Sequence, residues 1–317
     1  MKDFPSFNDI RQAAQRIKPH VHRTPILTCE SLDRISGCKL FFKPENLQKV
    51  GAFKFRGATN AVFSLSDKEA AQGVATHSSG NHAAALALAA SRRGTKAHIV
   101  MPQNAPAIKK SAVLGYGAEI TFCEPTLKAR EDGLNAVVEK TGAVIIHPYN
   151  DPLVIAGQGT AALELIEDVP DLDAVIAPVG GGGLMSGTAL AISALAPRVR
   201  IIGAEPSGAD DACRSLQAGR IIPSQNPTTI ADGLLTSLGS LTFPILHKHL
   251  ERIVTVSEQA IISAMRQIWE RMKLVIEPSS AVPLAAIQEG QWKQQNIRIG
   301  VILSGGNVNL DELPWVK

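Results

Sequence analysis

Short β-prone runs alternate with helical patterns along nearly the whole chain, and this alternation most restricts the folds open to it. GVATHS, KAHIVMP, AEITFC and AVIIH each precede or follow an amphipathic or alanine-rich segment. Strands joined through helices run parallel, because the helix carries the chain back to the same end of the sheet. Four such units occupy the stretch from about Ser66 to His147, whereas the later runs DAVIAPV, RVRIIGAE, RIVTV and IRIGVILS have longer, less regular connections. The pattern predicts two α/β lobes with parallel sheets, the first inserted into the second. Residues 66–147 form the smaller, substrate-side lobe, and residues 1–65 and 148–317 the larger. A helix over roughly Asn8 to Lys18 and the segment KLFFKPEN precede the insertion and are expected to pack with the larger lobe. In open α/β sheets ligands sit beyond the carboxyl ends of strands, so the residues just after each strand are the candidates for chemistry.

Composition narrows the partners. Charged residues make up 19% of the chain and the formal charge is only +3, which leaves no basic field to hold a nucleic acid or an anionic membrane. No apolar run reaches the roughly 18 residues of a membrane span, and the N-terminus is charged and interrupted by Pro5, so neither secretion nor insertion is expected. Cys29, Cys38, Cys123 and Cys213 are scattered without a CxxC pair and read as reduced, mostly buried thiols. The expectation is small-molecule chemistry in the cytoplasm.

Gly180 to Gly183 follow the apolar strand DAVIAPV and open the helical pattern LMSGTALAISALA. Without Cβ atoms the backbone turns tightly, and the free N–H groups and dipole of a helix N-terminus suit a phosphate. An ordinary strand-to-helix turn is the plainer reading, but four glycines in a row cost more backbone entropy than a turn requires. The spacing fits neither a dinucleotide fingerprint, since Met185 and Ser186 stand where the last glycine belongs, nor a P-loop. GAFKFRGATNAVFSL sets Lys54 between two phenylalanines and two residues before Arg56, surroundings that disfavour the charged amine and suit a Schiff-base lysine. By itself this segment reads more readily as a surface lysine with a buried stem. THSSGNHAAALALAA brings Ser78, Ser79, Asn81 and His82 to a helix N-terminus after a strand, where they either grip a carboxylate or cap the helix.

In combination these segments resemble the fold-type II pyridoxal-phosphate enzymes, and within them the serine racemase and serine/threonine dehydratase branch. The resemblance runs through KPENLQKVGAFKFRGATNAVFSL, THSSGNHAAAL, CEPTLKAREDG, AGQGTAALEL, PVGGGGLMSG, AEPSGADDA, TIADGL, ERMKLVIEPSSA and VILSGGNVNL, in the family's order and over nearly the whole chain. Cysteine synthases share it only in outline. The resemblance implies a tryptophan synthase β-like pair of lobes, pyridoxal 5'-phosphate as cofactor and a homodimer. Lys54 would carry the cofactor and act as the base on one face of the substrate's Cα, and Phe53 would pack against the pyridine ring. Gly180 to Gly183 and the amide of Leu184 would hold the phosphate, Asn81 would hydrogen-bond the phenolic oxygen, and Ser304 would face the ring nitrogen. A hydroxyl there supplies no charge to keep that nitrogen protonated, which suits rapid loss of a β-hydroxyl better than a long-lived carbanion. Ser78, Ser79, Asn81 and His82 would bind the substrate carboxylate, with Arg130 nearby and Thr236 on the substrate side. Ser79 would be the second acid/base, on the opposite face of Cα. Glu205, Asp211 and the carbonyl of Ala209 would form a divalent cation site for Mg²⁺, Ca²⁺ or Mn²⁺; without the resemblance, AEPSGADDA reads as a solvated acidic loop.

Ser280, Pro283 and Thr236 depart from the family's pattern and bear on substrate preference, not on the cofactor. The activity implied is β-elimination of water from L-serine or L-threonine to a 2-oxo acid and ammonia, with serine racemisation. The alternative within the branch is a 3-hydroxyaspartate ammonia-lyase, for which His82 or Arg130 would meet the distal carboxylate. A catalytically silent ligand-binding relative is the reading from another class, and intact Lys54, Ser79 and Ser304 oppose it. The sequence ends soon after LSGGNVNLDELPWVK, so an appended amino-acid-sensing domain with isoleucine feedback is not expected. No GxSxG or HExxH supports a hydrolase.

Overall fold

The structure, a computed structural model, describes residues 4–105, 107–290 and 297–316. Nine strands among the described residues form two sheets. They are β1 (Lys39–Pro44), β2 (Val74–His77), β3 (Ala97–Pro102), β4 (Glu119–Cys123), β5 (Val144–Ile145), β6 (Ala174–Pro178), β7 (Arg200–Pro206), β8 (Arg252–Val256) and β9 (Arg298–Leu303). The larger sheet has the order β1-β9-β6-β7-β8 and the smaller β4-β3-β2-β5, and every pair is parallel. As expected of parallel sheets covered on both faces, β6 and β3 are buried at every position. On the larger sheet Val175 and Ala177 enter one apolar cluster, while Ala174 and Ile176 enter another on the opposite face. Val74 and Ile99 divide in the same way from Ala75 and Val100 on the smaller sheet.

The first helix, Phe7–Ile17, starts from a capping box in which Asp9 and Ser6 bond reciprocally, and it buries Ile10, Ala13 and Ile17 along one face. Ile10 and Ala13 join the core of the larger sheet. The four cysteines are free thiols, but only Cys38 is buried; Cys29, Cys123 and Cys213 lie at intermediate depth, correcting the sequence reading. No helix among the described residues is long and apolar enough to cross a membrane.

One helix fixes the relation between the two segments that matter most. Pro152–Asp168 is started by Asp151, whose carboxylate accepts from the amides of Leu153 and Val154 at 2.9 and 3.2 Å. A Cβ on its Gly157 would lie 2.6 Å from the Cα of Gly57, and one on Gly159 would lie 2.9 Å from the carbonyl of Gly187. AGQGT is thus a double backbone contact, with the helix Lys54–Phe63 on one side and Gly183–Leu195 on the other. Between the two glycines Gln158 accepts from the amide of Gly57 at 3.1 Å, satisfying a donor in the first turn of a helix that has no side-chain cap.

Candidate active site

Each sheet reverses its strand order at one point, and the two reversals define the site. In the larger sheet β6 continues to β7 and β8 on one side while β9 and β1 lie on the other; in the smaller, β2 continues to β3 and β4 while β5 lies opposite. Loops leaving such neighbours diverge and open a crevice at the carboxyl edge. The glycine loop follows β6, Ser304 follows β9, Ser78 to Asn81 follow β2, and His147 to Asn150 follow β5. Lys54 joins them: its ammonium donates to the carbonyl of Pro148 at 2.8 Å, and Phe53 N donates to the carbonyl of Ser304 at 3.0 Å.

Lys54 opens its helix, partly accessible, with Nζ 5.1 Å from the centroid of the Phe53 ring. Burial lowers its pKa from 10.5 to about 8, against a smaller upward pull from Glu277. Arg56 plays no part in this. Its guanidinium, wholly buried, turns away into a forked pair of contacts, with Glu45 at 2.7 and 2.9 Å and Glu164 at 2.7 and 2.9 Å. Lys43 completes a charge-balanced cluster at 2.7 Å from Glu164. The sequence reading credited Arg56 with discharging the lysine, but two carboxylates neutralise it and leave desolvation as the cause. The cluster ties β1, the turn at Glu45, the Lys54 helix and the Pro152–Asp168 helix together; removing one partner would strand a buried charge at a cost of about 3–5 kcal/mol.

The glycine loop is enclosed from outside. A Cβ on Gly181 would stand 2.4 Å from the Tyr149 ring, one on Gly183 2.9 Å from the Tyr149 side chain, one on Gly182 2.8 Å from Thr242, and one on Gly180 3.0 Å from the carbonyl of Gly233. Gly182, at φ 86°, is the helix N-cap and supplies no side-chain cap. Among the described residues, the amides of Gly180 to Leu184 donate to no backbone carbonyl outside their own helix. The loop is therefore a set of unsatisfied donors at a helix N-terminus with no room for side chains, which fits a phosphate.

At the end of β2, Gly80 is the N-cap of the helix Asn81–Arg93 and no side chain caps it, so the capping role open to Ser79 or Asn81 is not taken. Ser78 and Ser79 lie at the cleft, partly exposed. Asn81 is oriented by its neighbours: Asn307 donates to its Oδ1 at 2.9 Å, and its Nδ2 donates to both oxygens of Glu277 at 3.0 and 3.1 Å. Glu277 is a buried carboxylate whose pKa is raised by burial to about 7. Ser280 Oγ accepts from Gly305 N and donates to Gly305 O, both at 2.7 Å, and stands 3.2 Å from Ser304 Oγ. This departure from the family's pattern thus fixes the turn that presents Ser304.

The imidazole of His82 is engaged away from the carboxylate-binding role expected of it. It is buried, its Nε2 donates to the carbonyl of Ile146 at 3.1 Å, and burial lowers its pKa to about 3. That leaves Nδ1 an unprotonated acceptor with no partner, which offers a carboxylate neither charge nor hydrogen. Arg130, on the helix Leu127–Thr141, remains near the cleft: it is half-exposed, bonded only weakly through Nε to the carbonyl of Thr126 at 3.4 Å, and it adds to the burial that lowers the pKa of His77. Thr236 is exposed and lies beside the phenol of Tyr149. Sequence reasoning missed Tyr149 and Glu277. Tyr149 follows a strand and was open to the strand-end argument; Glu277 carried no local signal.

The second expected site lies at the end of β7. Glu205 accepts from the amides of Ala212 and Cys213 at 3.1 and 2.8 Å, and Ala209 closes the turn to Asp211, the first residue of its helix. Both carboxylate oxygens of Asp211 are buried without a hydrogen bond of good geometry, although the Ser224 hydroxyl lies nearby. Burial raises both carboxyls, Glu205 to about 8 and Asp211 to about 6. The unpartnered oxygens of Asp211, beside the desolvated carboxylate of Glu205, fit a hard cation. A cavity of about 660 Å³ reaches Asn81, lined among others by Gly80, Lys109, Tyr116, Asp232 and Asn307; neither Lys54 nor the glycine loop borders it.

Comparison with known proteins agrees with this geometry. A family model described as pyridoxal-phosphate dependent enzyme matches residues 17–305. A β-hydroxyaspartate dehydratase of Paracoccus denitrificans (strain Pd 1222) is 54% identical over 98% of this chain and 99% of its own. Maize serine racemase superposes with a TM-score of 0.96 at 48% identity, covering 98% and 95% of the two chains. Threonine deaminase from T.th. superposes at 0.92 and 47%, covering 96% and 99%. The architecture is the two-lobed, parallel-sheet fold-type II of these enzymes, and the chain belongs to the pyridoxal-phosphate-dependent enzyme family.

Proposed function

We propose that this enzyme eliminates water from L-serine or L-threonine to give a 2-oxo acid and ammonia, and that it also racemises serine. The observation that carries the reading is the lysine of depressed pKa, held on the carbonyl of Pro148 at the strand ends where two helix N-termini without side-chain caps also open, one edged by glycines and the other by serines. Residues 1–65 and 148–317 act as the cofactor lobe and 66–147 as the substrate-side lobe. When bound, pyridoxal phosphate supplies a sink for the electron pair left at Cα. Lys54 holds it and takes the Cα proton on its own face, a role that needs the neutral amine. The amides of Gly180 to Leu184 hold the phosphate, Phe53 packs on the ring, Asn81 offers its amide to the phenolic oxygen and Ser304 faces the ring nitrogen. Ser78, Ser79 and the free amides at Asn81 hold the substrate carboxylate, and Ser79 moves the proton on the opposite face. Glu205 and Asp211, with the Ala209 carbonyl, hold a divalent cation that stabilises the turn after β7. The free thiols suit a reducing cytoplasm, and a homodimer is the expected assembly.

A second reading has its own support: 3-hydroxyaspartate as substrate, favoured by Arg130, for which no acidic partner exists among the described residues, and by the identity to the Paracoccus dehydratase. Purified enzyme is incubated with D- and L-serine, threonine and both 3-hydroxyaspartate diastereomers, reading oxo acid and enantiomers. Lys54→Ala should lose the visible absorbance of the bound cofactor and all turnover; full activity in that variant would overturn the proposal.

A further inference from the structure

The segment between β5 and the Pro152–Asp168 helix is clasped from several sides around Tyr149. Its preceding residue, Pro148, accepts from Lys54 Nζ. Its ring lies against Gly181 so closely that no side chain fits between them. His147 stands edge-on to the ring at 4.6 Å and 88°, and its Nδ1 accepts from the amides of Tyr149 and Asn150 at 3.3 and 2.9 Å. Asn150 in turn accepts from Leu241 N at 2.8 Å and donates to Ser240 at 3.1 Å, while Thr242 donates to the carbonyl of Gly181 at 2.8 Å. The ring is therefore fixed over the glycine loop, partly exposed to the cleft, with its phenol beside Thr236.

We infer that Tyr149 is a specificity-determining residue, its ring walling the cleft on the side of the glycine loop and its phenol, with Thr236, meeting whatever the substrate carries at Cβ. This rests on the proposed reading of the Lys54 cleft as a hydroxy-amino-acid site. The candidate substrates differ only at that carbon, which bears hydrogen in serine, methyl in threonine and carboxylate in 3-hydroxyaspartate. A fixed phenol donates a hydrogen bond to a carboxylate and has nothing to offer a methyl group. Sites built around a hydrogen bond discriminate strongly when it is lost, whereas an apolar wall distinguishes by little.

The test compares wild type with Tyr149→Phe, which keeps the ring on Gly181, and with Thr236→Val. For each, kcat/KM is measured on serine, threonine and 3-hydroxyaspartate, and the affinity for malate and for lactate, which lack the amine and do not react, is measured by calorimetry. The phenylalanine variant should retain the cofactor and its Tm, while its preference for 3-hydroxyaspartate over both serine and threonine falls by about tenfold and malate weakens more than lactate. Thr236→Val should change the same ratios in the same direction. Unchanged ratios and affinities, or a uniform loss across all substrates, would overturn the assignment. Wild-type inactivity on the whole panel would instead remove the proposed function, so the two failures are distinct.

Discussion

Replacing Lys54 with methionine in the cofactor-free protein measures how strongly the site resists its own charge. Burial takes the ammonium from 10.5 to about 8. At about 1.4 kcal/mol for each tenfold change in proton affinity, a charged Lys54 costs the fold about 3 kcal/mol relative to the unfolded chain. Both states are protonated below pH 8, so the full cost is present there. Between 8 and 10.5 the native state has shed the proton that the unfolded chain still binds, so stability rises with pH across that window. Methionine keeps most of the volume and carries no charge, but gives up the 2.8 Å bond to Pro148. That bond is worth about 1 kcal/mol, so Lys54→Met should be about 2 kcal/mol more stable than wild type near neutral pH. The advantage should disappear and reverse as pH approaches 10.5. Urea unfolding followed by tryptophan fluorescence and circular dichroism, repeated across this range, gives the difference directly. Glu277, held near 7, titrates below the window in both proteins and leaves the comparison intact. A stability difference that stays constant with pH refutes the reasoning.

The remaining predictions concern single groups. Ser79→Ala should lose L-to-D serine conversion and D-serine elimination by a large factor while L-serine elimination survives within about tenfold, as read by chiral chromatography and oxo-acid assay, because only the opposite face of Cα needs that hydroxyl. Thorough chelation should lower Tm, with recovery on adding Mg²⁺, Ca²⁺ or Mn²⁺; Asp211→Asn should then be stabilising without cation and destabilising with it, and the same sign in both conditions rules out the site. Glu277→Gln brings a competing donor to Asn81 Nδ2 and should weaken cofactor affinity by about tenfold in a fluorescence titration, with little change in Tm.

The two-lobed parallel architecture was legible because both sheets are covered on each face, so strands appear as apolar runs between helices with their own periodicity. The helix Phe7–Ile17 falls within one residue of the expected start and end, since its signal is local: a capping box and a single buried face. The glycine loop and the serine turn likewise lie at helix N-termini after strands, as their residue types suggested. The role of His82 was not legible, because its fate depends on the carbonyl of Ile146, 64 residues away. Arg56 misled for the same reason: a cation two residues from a lysine is a neighbour in sequence, but the carboxylates that neutralise it come from Glu45 and Glu164 on other elements. Glu277 faces Asn81 across 196 residues, so nothing near either residue announces the pair.

The four glycines illustrate how one sequence feature can have a second cause that only the fold reveals. Phosphate binding requires donors free on the inner side of the loop, and an ordinary strand-to-helix turn with small side chains would supply some of these. It does not require that all four positions lack a Cβ. The outer side does: Tyr149, Thr242 and the backbone at Gly233 close on Gly180 to Gly183 at distances of 2.4 to 3.0 Å from where a Cβ would stand. Donors left unsatisfied by the protein are costly unless something else meets them, and walls packed this tightly leave little room for water behind the loop. Enclosure on the outside and open amides on the inside are therefore one requirement, and the run of glycines meets both. On this argument an alanine at Gly181 acts first through Tyr149, and only through it on the loop.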